Sequence, residues 1–228
     1  MRILLTVSNS GFGELASLTL ARTGHHVIVT MRSLDRSADP RGTAAAEGLE
    51  IEVRQLDTNV FGPLRMIRAV MNTWRERGYG VVVNMSGVVG GATSPFGGAY
   101  AALRHALEAV SEALCWEASP AGIRVDVIEP GRFPTTDFLS NIVRPDGWEG
   151  SAFEAKALSL RAALTALDAG EPSDPQTVAD AIAFAATDPE APFRTVVGAD
   201  ANLILGAKSS TSFEDFERAM RSTINCYE

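Results

Sequence analysis

The stretch Ile3-Leu4-Leu5-Thr6-Val7-Ser8-Asn9-Ser10-Gly11-Phe12-Gly13 decides the fold. Its first five residues are apolar or β-branched, too short a run for a signal-peptide core or a membrane span. They read as a buried strand. A glycine turn follows, and beyond it Leu15, Leu18, Leu20 and Ala21 keep a helical spacing that closes at Gly24. Strand, glycine turn and helix together aim backbone N–H groups and a helix N-terminus at a phosphate. Such a turn also occurs by chance in many loops, so the residues that follow decide its meaning.

Outward from that stretch the alternation continues. His26–Met31 and Ile51–Leu56 read as strands. Val60–Arg77 reads as a helix whose stripe is Leu64, Ile67, Val70, Met71 and Trp74. Val81–Val83 is a strand, Tyr100–Glu117 a long helix, and Ile123–Ile128 a strand that runs into Glu129-Pro130-Gly131. Residues 136–170 are mixed, with a helical second half. Pro175–Thr187 is a helix, Arg194–Val197 a last strand and Phe213–Arg221 a final helix. Continuously apolar strands between helices predict an α/β protein whose parallel sheet is covered on both faces. There is no repeat, low-complexity tract or polar linker, so a single domain over 1–228 is expected, with a substrate or lid region at about 136–170.

Composition narrows the function. Hydrophobic residues make up 46% of 228, enough for a continuous core, and the net charge of −8 disfavours a phosphate backbone as partner. No nucleic acid and no membrane partner is expected, and the location expected is cytoplasmic. Cys115 and Cys226 sit in no metal-ligand spacing, and His25, His26 and His105 form no zinc motif, so two free thiols and no metal are expected.

Two further features bear on chemistry. The second strand ends in Met31-Arg32-Ser33, and an arginine there favours a ribose 2′-phosphate, hence NADP, where a carboxylate would favour NAD. A solvated surface arginine would look the same. Tyr100 and Arg104 lie four apart on one helix face. A cation beside a phenol favours the phenolate, which suits general acid/base work. By itself the pair is also compatible with a structural role.

Taken in order, Ser10-Gly11-Phe12-Gly13, Met31-Arg32, Leu56-Asp57, Asn59-Val60-Phe61-Gly62 and Val83-Asn84-Met85-Ser86 resemble the short-chain dehydrogenase/reductase family. So do Tyr100-Ala101-Ala102-Leu103-Arg104, Glu129-Pro130-Gly131, Thr135 and Arg194-Thr195-Val196-Val197-Gly198, and the likeness is to the NADP-preferring branch. The resemblance implies a Rossmann-like, doubly wound parallel sheet and an oxidoreductase using NADP(H) on a small-molecule alcohol or carbonyl substrate. It makes Tyr100 the proton donor or acceptor, Arg104 the cation in the place of the usual lysine, and Asn59 part of a water-linked proton relay. Ser10, Gly11, Phe12, Gly13 and Arg32 would hold the dinucleotide, Asp57 its adenine edge, and Pro130, Gly131 and Thr135 the nicotinamide. A helix-paired homodimer is the family's usual assembly.

Four departures from the family pattern weigh on activity. Val7 stands where the first turn glycine belongs, and a β-branched residue there crowds the ligand. Gly87 stands at the catalytic serine, with Ser86 one place early, and a one-residue shift in extended backbone turns a side chain to the other face. Losing such a donor costs roughly 3 kcal/mol of transition-state stabilisation, unless a shift in the loop lets Ser86 substitute. Arg104 keeps the charge of lysine but not its proton transfer or its fit to ribose. Finally, Asp57 is followed almost at once by Asn59, so one central strand-helix unit of the family is lacking. The Ile3–Val7 and Val81–Val83 strands should then pair directly, in the order 3-2-1-5-6-7 of the family's strand numbering, because an open slot would strand backbone polar groups. Two readings follow: an oxidoreductase with weakened activity, or a degenerate, redox-inactive nucleotide-binding or interaction protein. Reuse of the pocket for non-redox chemistry is a third.

Overall fold

A computed structural model of the chain describes residues 2–6, 12–31, 51–55, 59–134, 136, 148–166 and 174–224. Strand β1 (Arg2–Thr6) leads to helix α1 (Phe12–Arg22), β2 (His26–Met31), β3 (Ile51–Gln55), α2 (Phe61–Arg77) and β4 (Gly80–Met85). Helix α3 (Gly98–Ala118), β5 (Ile123–Pro130), α4 (Ala152–Ala166), α5 (Gln176–Thr187) and β6 (Arg194–Val197) follow, and α6 (Ala199–Ser210) and α7 (Phe213–Ile224) come last.

The sheet order is β3-β2-β1-β4-β5-β6, and every pairing in it is parallel. β1 therefore lies directly beside β4, as expected, with Leu4 opposite Val82 and Leu5 opposite Val83. The order runs leftward from β1 to β3 and rightward from β4 to β6. The reversal between β1 and β4 is the topological switch point at which doubly wound sheets open a ligand crevice beyond their strand ends.

Alternation along the strands builds two cores, one on each face. Val83 and Met85 of β4 and Ile128 of β5 pack with Ala16 and Leu20 of α1 and with Val178, Ile182 and Ala185 of α5. Val82 of β4 and Ile123 and Val125 of β5 pack with Ile67, Met71 and Trp74 of α2 and with Ala118 of α3. The predicted stripe of α2 is thus its buried face, with Leu64 and Val70 at the margin. A third, small cluster joins Leu160 of α4 to Ile224 of α7.

Sequence and structure differ in extents. β4 and β5 are longer than expected, β5 carrying through to Pro130. The third strand ends at Gln55, and Leu56 and Val7 lie outside the described residues. Helix α6 was not expected at all. Its apolar residues do not gather on one face, and Leu203 points to solvent while Ala201 is buried.

Candidate active site

Four described segments end at the carboxyl edge of the sheet centre: the start of α1 after β1, the Ser86-Gly87 turn after β4, the first turns of α3, and Pro130-Gly131 after β5. Helix α3 carries the Tyr100–Arg104 pair. Tyr100 lies in its first turn, half-buried, with Arg104 one turn on and buried. Arg104 Nε donates to Tyr100 Oη at 2.8 Å and Arg104 Nη1 donates to the Met85 carbonyl at 2.7 Å. The guanidinium stands 5.0 Å from the Tyr100 ring centroid. The last residue of β4 thus anchors the cation that holds the phenol. An N–H donated into the phenolic oxygen leaves the phenol's own proton for a third group.

The serine beside Gly87 faces elsewhere. Ser86 prolongs the even-numbered face of β4, on which Val82 packs against the α2/α3 layer and Asn84 Nδ2 donates to Ser111 Oγ of α3 at 2.8 Å. Ser86 Oγ is turned to Gly90 and Glu108: a Cβ at Gly90 would run into that hydroxyl and lie 3.2 Å from Glu108 Oε1. Glu108 is eight residues beyond Tyr100, about 12 Å along the helix axis. One residue of extended backbone separates two faces, so position 86 faces away from position 87. Gly87 itself has φ +157°, and a Cβ there would meet Pro130 O at 3.6 Å. There is room for a side chain at 87, in a backbone conformation that L-residues rarely adopt.

The remaining expected residues distribute as follows. Phe12 and Gly13 open α1, Gly13 being buried and the Phe12 ring meeting Phe133 edge-on at 4.7 Å. Asn59 is half-buried in the bend before α2. Pro130 ends β5, and Gly131 N–H donates to the Val197 carbonyl of β6 at 2.8 Å. Ser10, Gly11, Arg32, Asp57 and Thr135 lie outside the described residues.

Sequence reasoning missed a charged cluster behind this edge, with Glu108 and Glu129 buried and Arg194 and Glu112 reaching solvent. Arg194 Nε donates to Glu108 Oε2 at 3.0 Å and Arg194 Nη2 to Glu112 Oε2 at 2.8 Å. Glu129 is buried beside them. Burial, then the Glu108 carboxylate, push its pKa up to about 7 against the pull of Arg194. Burial also acts against the Arg194 charge, but the hydrogen bonds to Glu112 and Glu108 outweigh it and raise its pKa. The signal was available: Glu108 and Glu112 continue the Tyr100–Arg104 stripe of α3. Glu108, Glu129 and Arg194 line a cleft of about 560 Å³ under α6, whose wall does not include Tyr100.

The parts fit a dinucleotide. Doubly wound sheets bind their ligands at such a switch point, α1 begins after β1 beside it, and the Gly131 turn approaches α1 through Phe133 and Phe12. These features define a doubly wound α/β protein with a tyrosine held by a cation near the carboxyl edge of the sheet.

The chain is similar to the short-chain dehydrogenases. The family model for short chain dehydrogenases matches residues 50–146. An uncharacterized oxidoreductase of Schizosaccharomyces pombe is 34% identical over 138 residues, which cover 58% of this chain and 54% of the relative. The match to such curated relatives thus spans about half of their length. The crystal structure of a short-chain dehydrogenase from Streptomyces avermitilis superposes with a TM-score of 0.71 at 25% identity, over 97% of this chain and 98% of that one. Actinorhodin polyketide ketoreductase with NADPH shares the fold, with a TM-score of 0.69 at 20% identity over 89% and 96% of the two chains. No helix among the described residues is long and apolar enough to cross a membrane.

Proposed function

We propose that this chain is an NADP(H)-dependent oxidoreductase that interconverts a small-molecule carbonyl compound and its alcohol, at a rate below that of family members with an intact serine. The observation that carries the reading is the Arg104 Nε–Tyr100 Oη hydrogen bond, anchored at Met85. When bound, the dinucleotide supplies the hydride for the carbonyl carbon. Tyr100 gives its phenolic proton to the carbonyl oxygen, and Arg104 stabilises the phenolate that remains. Asn59 supports return of the proton from solvent. Ser10, Gly11, Phe12 and Gly13 would hold the pyrophosphate, Arg32 the 2′-phosphate, Asp57 the adenine, and Pro130, Gly131 and Thr135 the nicotinamide. Ser86, turned to Glu108, is given no contact with the substrate. The NADPH-bound ketoreductase of the same fold supports the cofactor and the direction of chemistry.

The chain acts as a single domain in the cytoplasm, with the region at about 136–170, which includes α4, as the substrate cover. A homodimer would form through α2 and α3, whose outer faces expose Phe61 and Trp116.

The test is reduction of a panel of ketones and aldehydes with NADPH, in wild type and Tyr100→Phe. Slow turnover abolished by Tyr100→Phe is expected, and turnover that survives the loss of the hydroxyl would remove Tyr100 from the mechanism. A second reading, a redox-inactive nucleotide-binding protein, is favoured by Gly87, which presents no donor to a substrate oxygen. NADPH binding without turnover of any carbonyl or alcohol would establish it.

A further inference from the structure

Asp200 lies in the first turn of α6 and is buried. Its Oδ2 accepts the backbone N–H of Arg132 at 2.8 Å, across 68 positions of sequence. Its carboxylate also stands where a side chain at Gly131 would be, since a Cβ added there would run into Oδ1. A Cβ at Gly198 would lie 2.9 Å from the same atom. Gly131 and Gly198 therefore form a cradle, and the carboxylate fills it. Its charge sits at the positive end of α6.

The segment it holds meets β6, α4 and α1. Gly131 N–H bonds to Val197 O of β6, and Arg132 Nη2 donates to Thr165 Oγ1 of the α4 cover at 2.8 Å. Phe133 packs edge-on against Phe12, the first residue of α1. We infer that Asp200 is a positioning residue: by gripping Arg132 N–H and the Cα face of Gly131, it sets where the turn after β5 stands against the N-terminus of α1, and so shapes the nicotinamide side of the dinucleotide site. The consequence for binding rests on the function proposed above. The grip itself does not.

Two readouts test this on the full chain: hydrogen–deuterium exchange without nucleotide, and calorimetric titration with NADPH and NADH. Asp200→Ala should speed exchange of the Arg132 amide and its neighbours in the turn. It should also raise the Kd for NADPH roughly tenfold, the scale of one charge-assisted hydrogen bond. Asp200→Asn, which keeps an acceptor of the same shape, should stay within about threefold of wild type. Gly131→Ala, which pushes the carboxylate out, should reproduce Asp200→Ala, and adding it to Asp200→Ala should cost less than the two changes summed. The Gly131→Ala arm decides the matter if Asp200→Ala does not fold. Unchanged exchange at Arg132, or an unchanged Kd for the nucleotide that wild type binds, would overturn the inference and leave the oxidoreductase reading standing. Faster exchange spread evenly over the sheet would overturn it too, marking Asp200 as general support. If wild type binds neither nucleotide, the oxidoreductase reading fails, and the exchange of the Arg132 amide alone decides whether Asp200 holds the turn.

Discussion

Tyr100 and Arg104 were legible as a pair because a four-residue spacing puts two side chains on one helix face. The second anchor of Arg104, the Met85 carbonyl, was not legible, since it joins positions 19 residues apart. Three substitutions probe this residue scale. Tyr100→Phe should lower kcat by about a hundredfold or more, the range of a lost general acid, while leaving the Kd for NADPH and the melting temperature nearly unchanged. Arg104→Lys should give equal or higher turnover, because lysine keeps the charge and can share its proton. Gly87→Ser adds a hydrogen-bond donor, for which up to about a hundredfold in rate is expected. Its cost falls on stability: φ is +157° and such conformations cost of order 1–3 kcal/mol. A faster enzyme with a lower melting temperature is the expected result. If the double variant Arg104→Lys, Gly87→Ser still binds NADPH but gains nothing, the organisation of the sheet, and not these two residues, limits the rate.

Among elements, the strands and the helices with one apolar stripe were readable, and α6 was not, because its burial is not one-sided. The β1–β4 contact was foreseen from the cost of unpaired backbone groups, and the pairing of Leu4 and Leu5 with Val82 and Val83 agrees with it. The charges inside β5 were not foreseen. Burial raises the pKa of Asp126 to about 6, with Arg124 opposing it through a 2.8 Å ion pair, and that of Glu129 to about 7. Raised carboxyl values mean that the folded state binds these protons more tightly than the unfolded chain. Their contribution to stability is therefore complete below the unfolded values, near ~4, and is lost as pH rises through about 6 and about 7. His25, lowered by burial, has the opposite sign. Between about pH 5 and about pH 8 the melting temperature should fall in wild type, and Glu129→Gln should flatten the upper part of that fall. Thermal melts across this range check it; an identical slope in the variant would show that Glu129 ionises in the fold as it does in the open chain.

For the whole molecule, the order β3-β2-β1-β4-β5-β6 puts a topological switch point in the middle of the sheet, and the segments that end there come from four separate parts of the chain. Their convergence could be read from the sequence only through the ordered resemblance, since no local pattern relates Gly131 to Phe12. The proposed preference for NADP(H) belongs to this scale because Arg32 follows β2 in the sequence, whereas Tyr100 belongs to α3, after β4. Arg32→Asp should reverse the ratio of NADPH to NADH affinities, and an unchanged ratio would take Arg32 out of the account. The most direct measurement of the central claim is calorimetric titration of the wild-type chain with NADPH, with NADH in parallel. Saturable binding, tighter for NADPH, is the predicted result; no heat of binding with either nucleotide would contradict it.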